Sequence, residues 1–197
     1  MSALADRRCW VFDLDGTLTH PVHDFDAIRV RLGIPAGELI LEWLAAQPAP
    51  KAAPLYAELA RIEAELVDRT TAQPGCGELL EALCADDCRL GILTRNTREN
   101  ALRTLARIGV AHCFAPEDVL GRDEAPAKPD PGGIRALLAR WGGAPEAAVM
   151  VGDFRLDLEA GRAAGTATAH FDPAGRFPWP ELADVRIRAL PELLAHR

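Results

Sequence analysis

A short apolar run near the start of the chain ends abruptly in charge. Residues Cys9–Phe12 read CWVF, and Asp13, Leu14 and Asp15 follow directly. A continuous apolar run of this kind is typical of a strand that is buried on both faces of a parallel sheet. Alternation along the extended chain places Asp13 and Asp15 on one side, and two such carboxylates repel each other unless a cation or a proton intervenes. The pattern therefore predicts a parallel sheet with a chemical site at the carboxyl ends of its strands.

Composition narrows the classes of protein to consider. The chain has 197 residues, 49% of them hydrophobic, and a net charge of -7. This length allows one sizeable core with a small insertion, and the acidic balance without a basic stripe argues against a nucleic-acid partner. No apolar stretch approaches the roughly 20 residues that span a bilayer, and the first residues lack an apolar signal core. Five scattered cysteines, with no C-x-x-C pair, argue against a disulfide framework. We therefore expect a cytoplasmic protein with no membrane partner.

The segment after the first strand is predicted to be helical. Three helices are expected, over Asp24–Leu32, Ala36–Ala46 and Ala53–Arg69. Asp24 is a candidate N-cap of the first helix, and Gly33 is a candidate stop. The third has apolar residues at one helical face, namely Leu55, Leu59, Ile62 and Leu66. Residues 19–74 are therefore expected to form a small helical cap, inserted into a core made of residues 1–18 and 75–197.

Within that core, strands and helices alternate. Strands are predicted over Arg89–Leu93, Asp118–Gly121, Ala147–Val151, Thr166–Phe171 and Val185–Ile187. Helices are predicted over Gly77–Ala85, Thr97–Ile108, Pro131–Trp141, Leu156–Ala164 and Leu190–His196. This alternation is typical of an α/β fold with a doubly wound, Rossmann-like parallel sheet. The helical cap would then lie over the carboxyl ends of the strands.

Polar residues follow other predicted strands of the same sheet. Thr94 ends one strand just before a helix whose N-terminal amides can bind an anion. Lys128 precedes another helix, and its compact ammonium can neutralise both a phosphoryl oxygen and a carboxylate. Asp153 ends a third strand, and Asp157 lies four residues later on the same helical face. Taken singly, these are ordinary caps and surface charges, but together with the first acidic pair they predict a phosphate site.

Four motifs in order carry a resemblance to a known family. They are DLDGT at Asp13–Thr17, LTRN at Leu93–Asn96, KPDP at Lys128–Pro131 and GDFRLDLEAG at Gly152–Gly161. Together they resemble the haloacid dehalogenase-like (HAD) hydrolase superfamily, in its phosphoglycolate phosphatase-like branch with a helical cap. The resemblance covers nearly the whole chain.

The resemblance implies roles for the acids. Asp13 would be the nucleophile that forms an aspartyl-phosphate, and Asp15 the general acid and base. Mg²⁺ would be held by Asp13, the backbone carbonyl of Asp15 and Asp153. Asp157 would support the metal site and Lys128.

The resemblance also implies how the phosphate is held. The side chains of Thr94 and Lys128 would bind the transferring phosphoryl oxygens, together with backbone amides after Asp13 and Thr94. Arg95 enters this set through its backbone amide. Phe154 departs from the family pattern, because many relatives carry a small hydroxyl residue after the metal-binding acid. An aromatic ring there is expected to reshape the pocket wall without removing a ligand.

The activity implied is Mg²⁺-dependent hydrolysis of a small phosphorylated metabolite, either phosphoglycolate-like or a sugar phosphate. Dehalogenation is disfavoured, since dehalogenases need neither Mg²⁺ nor the acid at Asp15. A sugar-phosphate mutase on the same core stays open. A phosphonate hydrolase would need a cap lysine, for which Lys51, expected in an exposed loop, is the candidate. A relative that binds phosphate ligands or a protein partner without turnover is the alternative outside enzymes.

The sequence leaves substrate specificity open. Candidate pocket residues in and near the cap are His20, His23, Arg29, Arg31 and Trp43, and none of them is assigned a role. The choice between monomer and homodimer is open as well.

Overall fold

The computed structural model describes residues 4–197 and has a six-stranded sheet at its centre. The strands are β1 (Cys9–Phe12), β2 (Arg89–Leu93), β3 (Val119–Leu120), β4 (Ala148–Gly152), β5 (Ala167–Phe171) and β6 (Val185–Ile187). Their order is β3-β2-β1-β4-β5-β6, and every neighbouring pair is parallel. The predicted α/β fold with a doubly wound parallel sheet is confirmed. Because the order reverses at β1, the carboxyl ends of β1, β2 and β4 border the crevice where such folds bind ligands.

Within residues 4–197, eight α-helices surround this sheet or extend from it. They are α1 (Phe25–Leu32), α2 (Ile40–Ala45), α3 (Ala49–Val67), α4 (Cys76–Ala85), α5 (Arg98–Arg107), α6 (Gly132–Trp141), α7 (Arg155–Ala164) and α8 (Glu192–Ala195). The alternating residues of β1 show why both faces need cover. Trp10 and Phe12 pack into the apolar cluster that contains residues of α4, α5 and α8, whereas Cys9 and Val11 pack into the cluster that contains residues of α6 and α7. The apolar run at Cys9–Phe12 is therefore buried on both sides, as the sequence predicted.

Residues 19–74, which we call the cap segment, contain α1, α2 and α3. These helices share an apolar cluster of their own, formed by Ile28, Leu32, Ile34, Leu44, Leu59 and Ile62. The ends of α1 match the sequence prediction, since the Asp24 carboxylate accepts from the Ala27 amide at 2.9 Å and Gly33 adopts a left-handed conformation at φ 68°. The division into a core and a cap domain stays a prediction.

Two helix starts in the cap segment were predicted incorrectly. Helix α2 begins at Ile40 rather than Ala36, because Gly37 adopts φ 82° in a turn that precedes it. Helix α3 begins at Ala49 rather than Ala53, because proline is tolerated in the first turn of a helix. Lys51 therefore lies on an exposed helical turn, and the prediction of a loop around it was wrong.

Two short ion pairs connect α2 and α3 to the segments that follow β2 and β3. Arg95, two residues beyond β2, donates to the Glu42 carboxylate of α2 at 2.9 and 2.7 Å. Arg122, two residues beyond β3, donates to both oxygens of Glu63 on α3 at 2.8 Å, and both side chains are buried. These pairs hold α2 and α3 close to the carboxyl ends of the central strands.

Within residues 4–197, no helix is both long enough and apolar enough to span a membrane. The predicted cytoplasmic location is a separate matter and stays a prediction.

Candidate active site

Asp13 and Asp15 lie at the carboxyl end of β1 and face different partners. The Asp13 amide donates to the Val151 carbonyl at 2.9 Å, which continues the pairing of β1 with β4. The buried Asp13 carboxylate accepts from the Lys128 ammonium at 2.5 Å. The Asp15 carboxylate instead lies 3.4 Å from the side-chain amide nitrogen of Asn96 and 3.9 Å from His23 Nδ1. The two acids therefore share one cavity but contact different side chains.

The turn after Asp15 brings β1 against the acid that follows β4. Gly16 adopts φ 99°, and a Cβ at this position would lie 2.6 Å from Asp153 Oδ2. Thr17 Oγ1 donates to Asp153 Oδ1 at 2.9 Å. Glycine is thus required at position 16 both by its backbone conformation and by the close approach of a carboxylate.

Lys128 is enclosed by protein and is only 2% exposed. Its ammonium donates to Asp13 at 2.5 Å and lies 2.6 Å from Asp157 Oδ1. Burial alone would lower the pKa of Lys128, but the two carboxylates outweigh burial and raise this pKa above its usual value. The amine is therefore a permanent cation between two of the candidate site acids, which is the placement predicted for a phosphate-binding lysine.

Asp13, Asp153 and Asp157 form a cluster that could hold a metal ion. One oxygen from each carboxylate lies within 4.8 Å of the other two. Burial, followed by repulsion from Asp13 and Asp157, raises the pKa of Asp153 to about 8. Burial raises the pKa of Asp157 to about 6, although Lys128 acts in the opposite direction. A hard divalent cation such as Mg²⁺ prefers carboxylate oxygens and would relieve this repulsion, so the donor set fits the ion.

Within this cluster, the two oxygens of Asp157 are already engaged. Oδ1 contacts the Lys128 ammonium, and Oδ2 accepts from the Phe154 amide at 3.0 Å. Asp13 Oδ2 has only a long 3.3 Å contact with the Thr17 hydroxyl, and among residues 4–197 the Asp153 carboxylate accepts only from the same hydroxyl. These two acids are therefore better placed than Asp157 to give an oxygen to a metal ion. The side chain of Asp15 lies outside the cluster, so a metal contact from this residue would have to use its backbone carbonyl, as predicted from the resemblance.

Thr94 and Arg95 follow β2 at the same edge of the sheet. The buried Thr94 hydroxyl oxygen accepts from the Asn96 amide at 3.1 Å, and the hydroxyl donates to none of residues 4–197. The Thr94 proton is thus available for an anionic oxygen. The Arg95 guanidinium is held by Glu42 and by the Lys128 carbonyl at 2.5 Å. A phosphate contact from Arg95 therefore rests on its backbone amide.

The residues considered for specificity separate into two groups. His23 and Arg29 line the cavity that contains the site acids, whereas His20, Arg31, Trp43 and Lys51 do not. Arg31 pairs with Glu58 at 2.7 Å, and the Lys51 ammonium lies 4.9 Å from the Trp43 ring centroid.

Three residues at the site were assigned no role from the sequence. Thr17 and Asn96 contact site carboxylates, and both already belong to the motifs that carry the resemblance. Glu63 lines the cavity from α3. In the sequence, the feature that points to Glu63 is its position as a charged residue beside the apolar stripe of that helix.

The cavity that contains the site acids has a volume of about 370 Å³ and lies between the strand ends and the cap segment. A larger cavity of about 550 Å³ lies between α2, α3 and the loop after β3, but no strand-end acid lines it. The smaller cavity is therefore the candidate active site, because the acids and the lysine at the strand ends line it.

Comparison with known proteins agrees with this geometry. The family model for haloacid dehalogenase-like hydrolases matches residues 34–165. The chain belongs to this family. A haloacid dehalogenase-like hydrolase domain-containing protein of Arabidopsis thaliana is 32% identical over 85% of this chain and 71% of its own length. A protein of Rhodospirillum rubrum named phosphoglycolate phosphatase is 33% identical over 79% of this chain and 75% of its own length.

Solved structures share the fold of this family member. A crystal structure of a proposed phosphoglycolate phosphatase from Lactobacillus plantarum has a TM-score of 0.78 and 22% identity, and the match covers 97% of this chain and 99% of the other. The structure of CbbY from Rhodobacter sphaeroides in complex with phosphate has a TM-score of 0.74 and 21% identity, covering 96% and 98% of the two chains. The prediction of a hydrolase of the HAD family is confirmed, and relatives named as phosphatases agree with the phosphatase prediction.

Proposed function

We propose that this protein is a Mg²⁺-dependent phosphomonoesterase that acts on a small phosphorylated metabolite through an aspartyl-phosphate on Asp13. The proposal rests on one observation, namely that Asp13 is buried between the Lys128 ammonium and the Asp153 carboxylate while Asp15 faces a separate set of partners. One acid is thus placed to react and the other to transfer protons. The relatives named as phosphatases support the same reaction class.

In the first step, a carboxylate oxygen of Asp13 forms a bond to phosphorus while the bond from phosphorus to the leaving oxygen breaks. Asp15 gives its proton to that leaving oxygen, so an alcohol departs. Burial raises the pKa of Asp15, although His23 opposes this, and a raised pKa favours the protonated form that this step needs. Lys128 and the Thr94 hydroxyl bind the oxygens on which negative charge increases.

In the second step, water attacks the phosphorus of the aspartyl-phosphate. Asp15, now ionised, takes a proton from this water while the bond from phosphorus to Asp13 breaks. Inorganic phosphate leaves, and both acids return to their starting states. The side-chain amide of Asn96, 3.4 Å from Asp15, holds the Asp15 carboxylate in place during both proton transfers.

Asp13 and Asp153 are the side chains that would hold Mg²⁺, with the backbone carbonyl of Asp15. When bound, the ion supplies positive charge to the transferring phosphoryl group and to the clustered carboxylates. Thr17 keeps Asp153 in position through its 2.9 Å hydrogen bond, and Asp157 keeps Lys128 in position from the other side.

We also propose that residues 19–74 act as a cap domain on a core made of residues 1–18 and 75–197. Support comes from the separate apolar cluster of α1, α2 and α3 and from the two ion pairs that join them to the strand ends. The cavity between these parts is of a size for a small metabolite rather than a macromolecule.

Of the alternatives, a phosphonate hydrolase is the least supported. Such an enzyme would need a cap lysine in the pocket, whereas Lys51 contacts Trp43 and does not line the cavity. A mutase would return the phosphoryl group to a second hydroxyl of the sugar, and a non-catalytic relative would form no product. Sustained release of inorganic phosphate from a monoester is therefore expected only of the hydrolase.

The test measures phosphate release from p-nitrophenyl phosphate with Mg²⁺. We expect Asp13→Asn to lower kcat by at least about a thousandfold, since the nucleophile is lost. We expect Asp15→Asn to accumulate protein carrying one phosphoryl group on Asp13, detectable by rapid-quench mass spectrometry. Asp68→Asn, at an exposed acid at the end of α3, is the matched control and should keep full activity. An Asp13→Asn variant that keeps a tenth of the activity would contradict the proposal.

A further inference from the structure

The cap side of the candidate active-site cavity is mainly apolar. Its apolar residues come from α1, α2, α3 and the loop before α2, and they are Phe25, Ile28, Leu39, Ile40, Leu41 and Leu59. The opposite side carries the acids, Lys128 and Thr94 at the strand ends. A phosphate ester bound with its phosphoryl group on the strand-end side would therefore place its alcohol part against the apolar side.

Two aromatic rings are exposed at this same cavity. Three large apolar side chains in residues 4–197 are strongly exposed: Phe25 at 53%, Val30 at 82% and Phe154 at 45%. Two of these, Phe25 and Phe154, line the cavity, one from the cap segment and one from the segment after β4. Each ring contacts an aromatic neighbour. Phe25 stacks on His23 with 5.6 Å between the ring centroids, and Phe154 meets Trp179 edge-on with 5.2 Å between the centroids. Exposed apolar surface concentrated at a cavity indicates a binding surface.

The charged groups on or bordering the cap side are already paired. His23 Nδ1 lies 3.9 Å from Asp15 Oδ1. Arg29 donates to Asp26 at 2.6 Å and to the Glu38 carbonyl at 2.9 Å. Arg95 donates to both oxygens of Glu42.

The remaining charged residue on that side, Glu63, is bound at both oxygens by Arg122. Among the described residues that line the cavity, no cation is therefore left without a carboxylate partner to bind a second anionic group of the substrate.

We infer that the substrate is the phosphate ester of an apolar, ring-sized alcohol rather than of a small carboxylate such as glycolate. This inference rests on the proposed function, because it assigns the alcohol part of the ester that Asp13 cleaves. A cavity of about 370 Å³ lies near the lower end of the roughly 300–1,000 Å³ typical of small-molecule sites, which suits one ring in addition to the phosphoryl group. Phe25 and Phe154 would contact the two sides of that ring.

The test compares three monoesters of primary alcohols under the same conditions with Mg²⁺: benzyl phosphate, ethyl phosphate and 2-phosphoglycolate. Their leaving groups are all primary alkoxides, so the comparison isolates the group carried by the alcohol. We expect kcat/KM for benzyl phosphate to exceed the values for both other esters by at least about tenfold, because burying a ring favours the transition state by more than one methylene does.

Matched variants then locate the effect. Phe25→Ala should lower the ratio of kcat/KM for benzyl over ethyl phosphate by at least about threefold, chiefly through KM, because it removes an apolar contact made equally before and during the reaction. Phe154→Ala should act in the same direction. Val30→Ala is the control, since Val30 is exposed on the same helix as Phe25 and does not line the cavity. Thermal unfolding confirms that each variant is folded.

The outcomes are distinct. Turnover of all three esters with less than a tenfold preference for benzyl phosphate, or with a preference for 2-phosphoglycolate, overturns the substrate class and leaves the phosphatase proposal intact. An equal change of the ratio in Val30→Ala also overturns it. Absence of turnover of all three esters, with p-nitrophenyl phosphate still hydrolysed, overturns this inference alone. Absence of Mg²⁺-dependent hydrolysis of p-nitrophenyl phosphate as well overturns the proposed function and this inference with it.

Discussion

Replacing Lys128 by methionine tests the buried charges most directly. The ammonium lies 2.5 Å from Asp13 and 2.6 Å from Asp157, and it is 2% exposed. At an effective dielectric constant of about 20, each contact contributes roughly 6–7 kcal/mol of Coulomb attraction, most of which offsets the cost of burying the charges. Removing one partner of a buried pair destabilises a protein by about 3–5 kcal/mol. Because Lys128 serves two carboxylates, we expect Lys128→Met to lower the free energy of unfolding by about 4–5 kcal/mol.

The assay is thermal unfolding in EDTA at pH 7. For a chain of 197 residues, 1 kcal/mol corresponds to about 2–4 °C in Tm, so the expected decrease is about 8–20 °C. Lys51→Met is the matched control, since Lys51 is the other lysine of the chain and is exposed on α3. It should change stability by less than about 1 kcal/mol, although its contact with Trp43 is lost. Equal decreases for the two variants would refute the reasoning.

The same variant has a predicted pH dependence. Burial and neighbouring charge raise the pKa of Asp153 to about 8 and that of Asp157 to about 6, from an ordinary 3.8. Such groups stabilise the folded state fully below their unfolded pKa, and this stabilisation is lost as the pH rises through the folded value. Stability in EDTA should therefore decline between about pH 4 and pH 8. Since Lys128 lowers both pKa values, its loss should cost more at pH 8 than at pH 5.

Two further predictions concern the metal and the turn after β1. Mg²⁺ at about 100 times its dissociation constant should stabilise the folded protein by about 2.7 kcal/mol. This corresponds to a Tm about 5–10 °C higher than in EDTA, and Asp153→Asn should abolish the shift. A shift that persists in Asp153→Asn would place the ion elsewhere. Gly16→Ala should lower stability by about 1–3 kcal/mol and kcat by about a hundredfold, because φ is 99° and the new Cβ would meet Asp153 at 2.6 Å. Gly109→Ala, at φ 81° with nothing within 4 Å, should lower stability and leave kcat unchanged; a matching loss of kcat there would refute the steric explanation.

The sheet was predictable because its signals are local. The apolar segments Arg89–Leu93 and Val185–Ile187 were predicted with the bounds that the structure has. Strands β1, β2 and β4 read as short, largely apolar runs, and the polar residues directly after them mark where these strands end. The candidate site follows from the same pattern, since parallel strands bring their carboxyl ends to one edge.

The cap segment was less predictable because its structure depends on distant contacts. The start of α3 was misplaced because Pro48 and Pro50 suggested a break, whereas proline fits the start and first turn of a helix. The pairing of Glu63 with Arg122 joins residues 59 positions apart, and no local pattern indicates such a partner. The apolar side of the cavity likewise exists only once three helices and a loop have come together.

The enclosure of Lys128 has a practical consequence for labelling. The chain has only two lysine side chains, and the amine of Lys128 is both shielded from solvent and kept protonated by its carboxylate partners. An amine-reactive dye should therefore modify Lys51 in preference to Lys128, and this places a fluorophore on α3 beside Trp43. Wild-type protein thus offers a side-chain attachment point on the cap segment without any substitution.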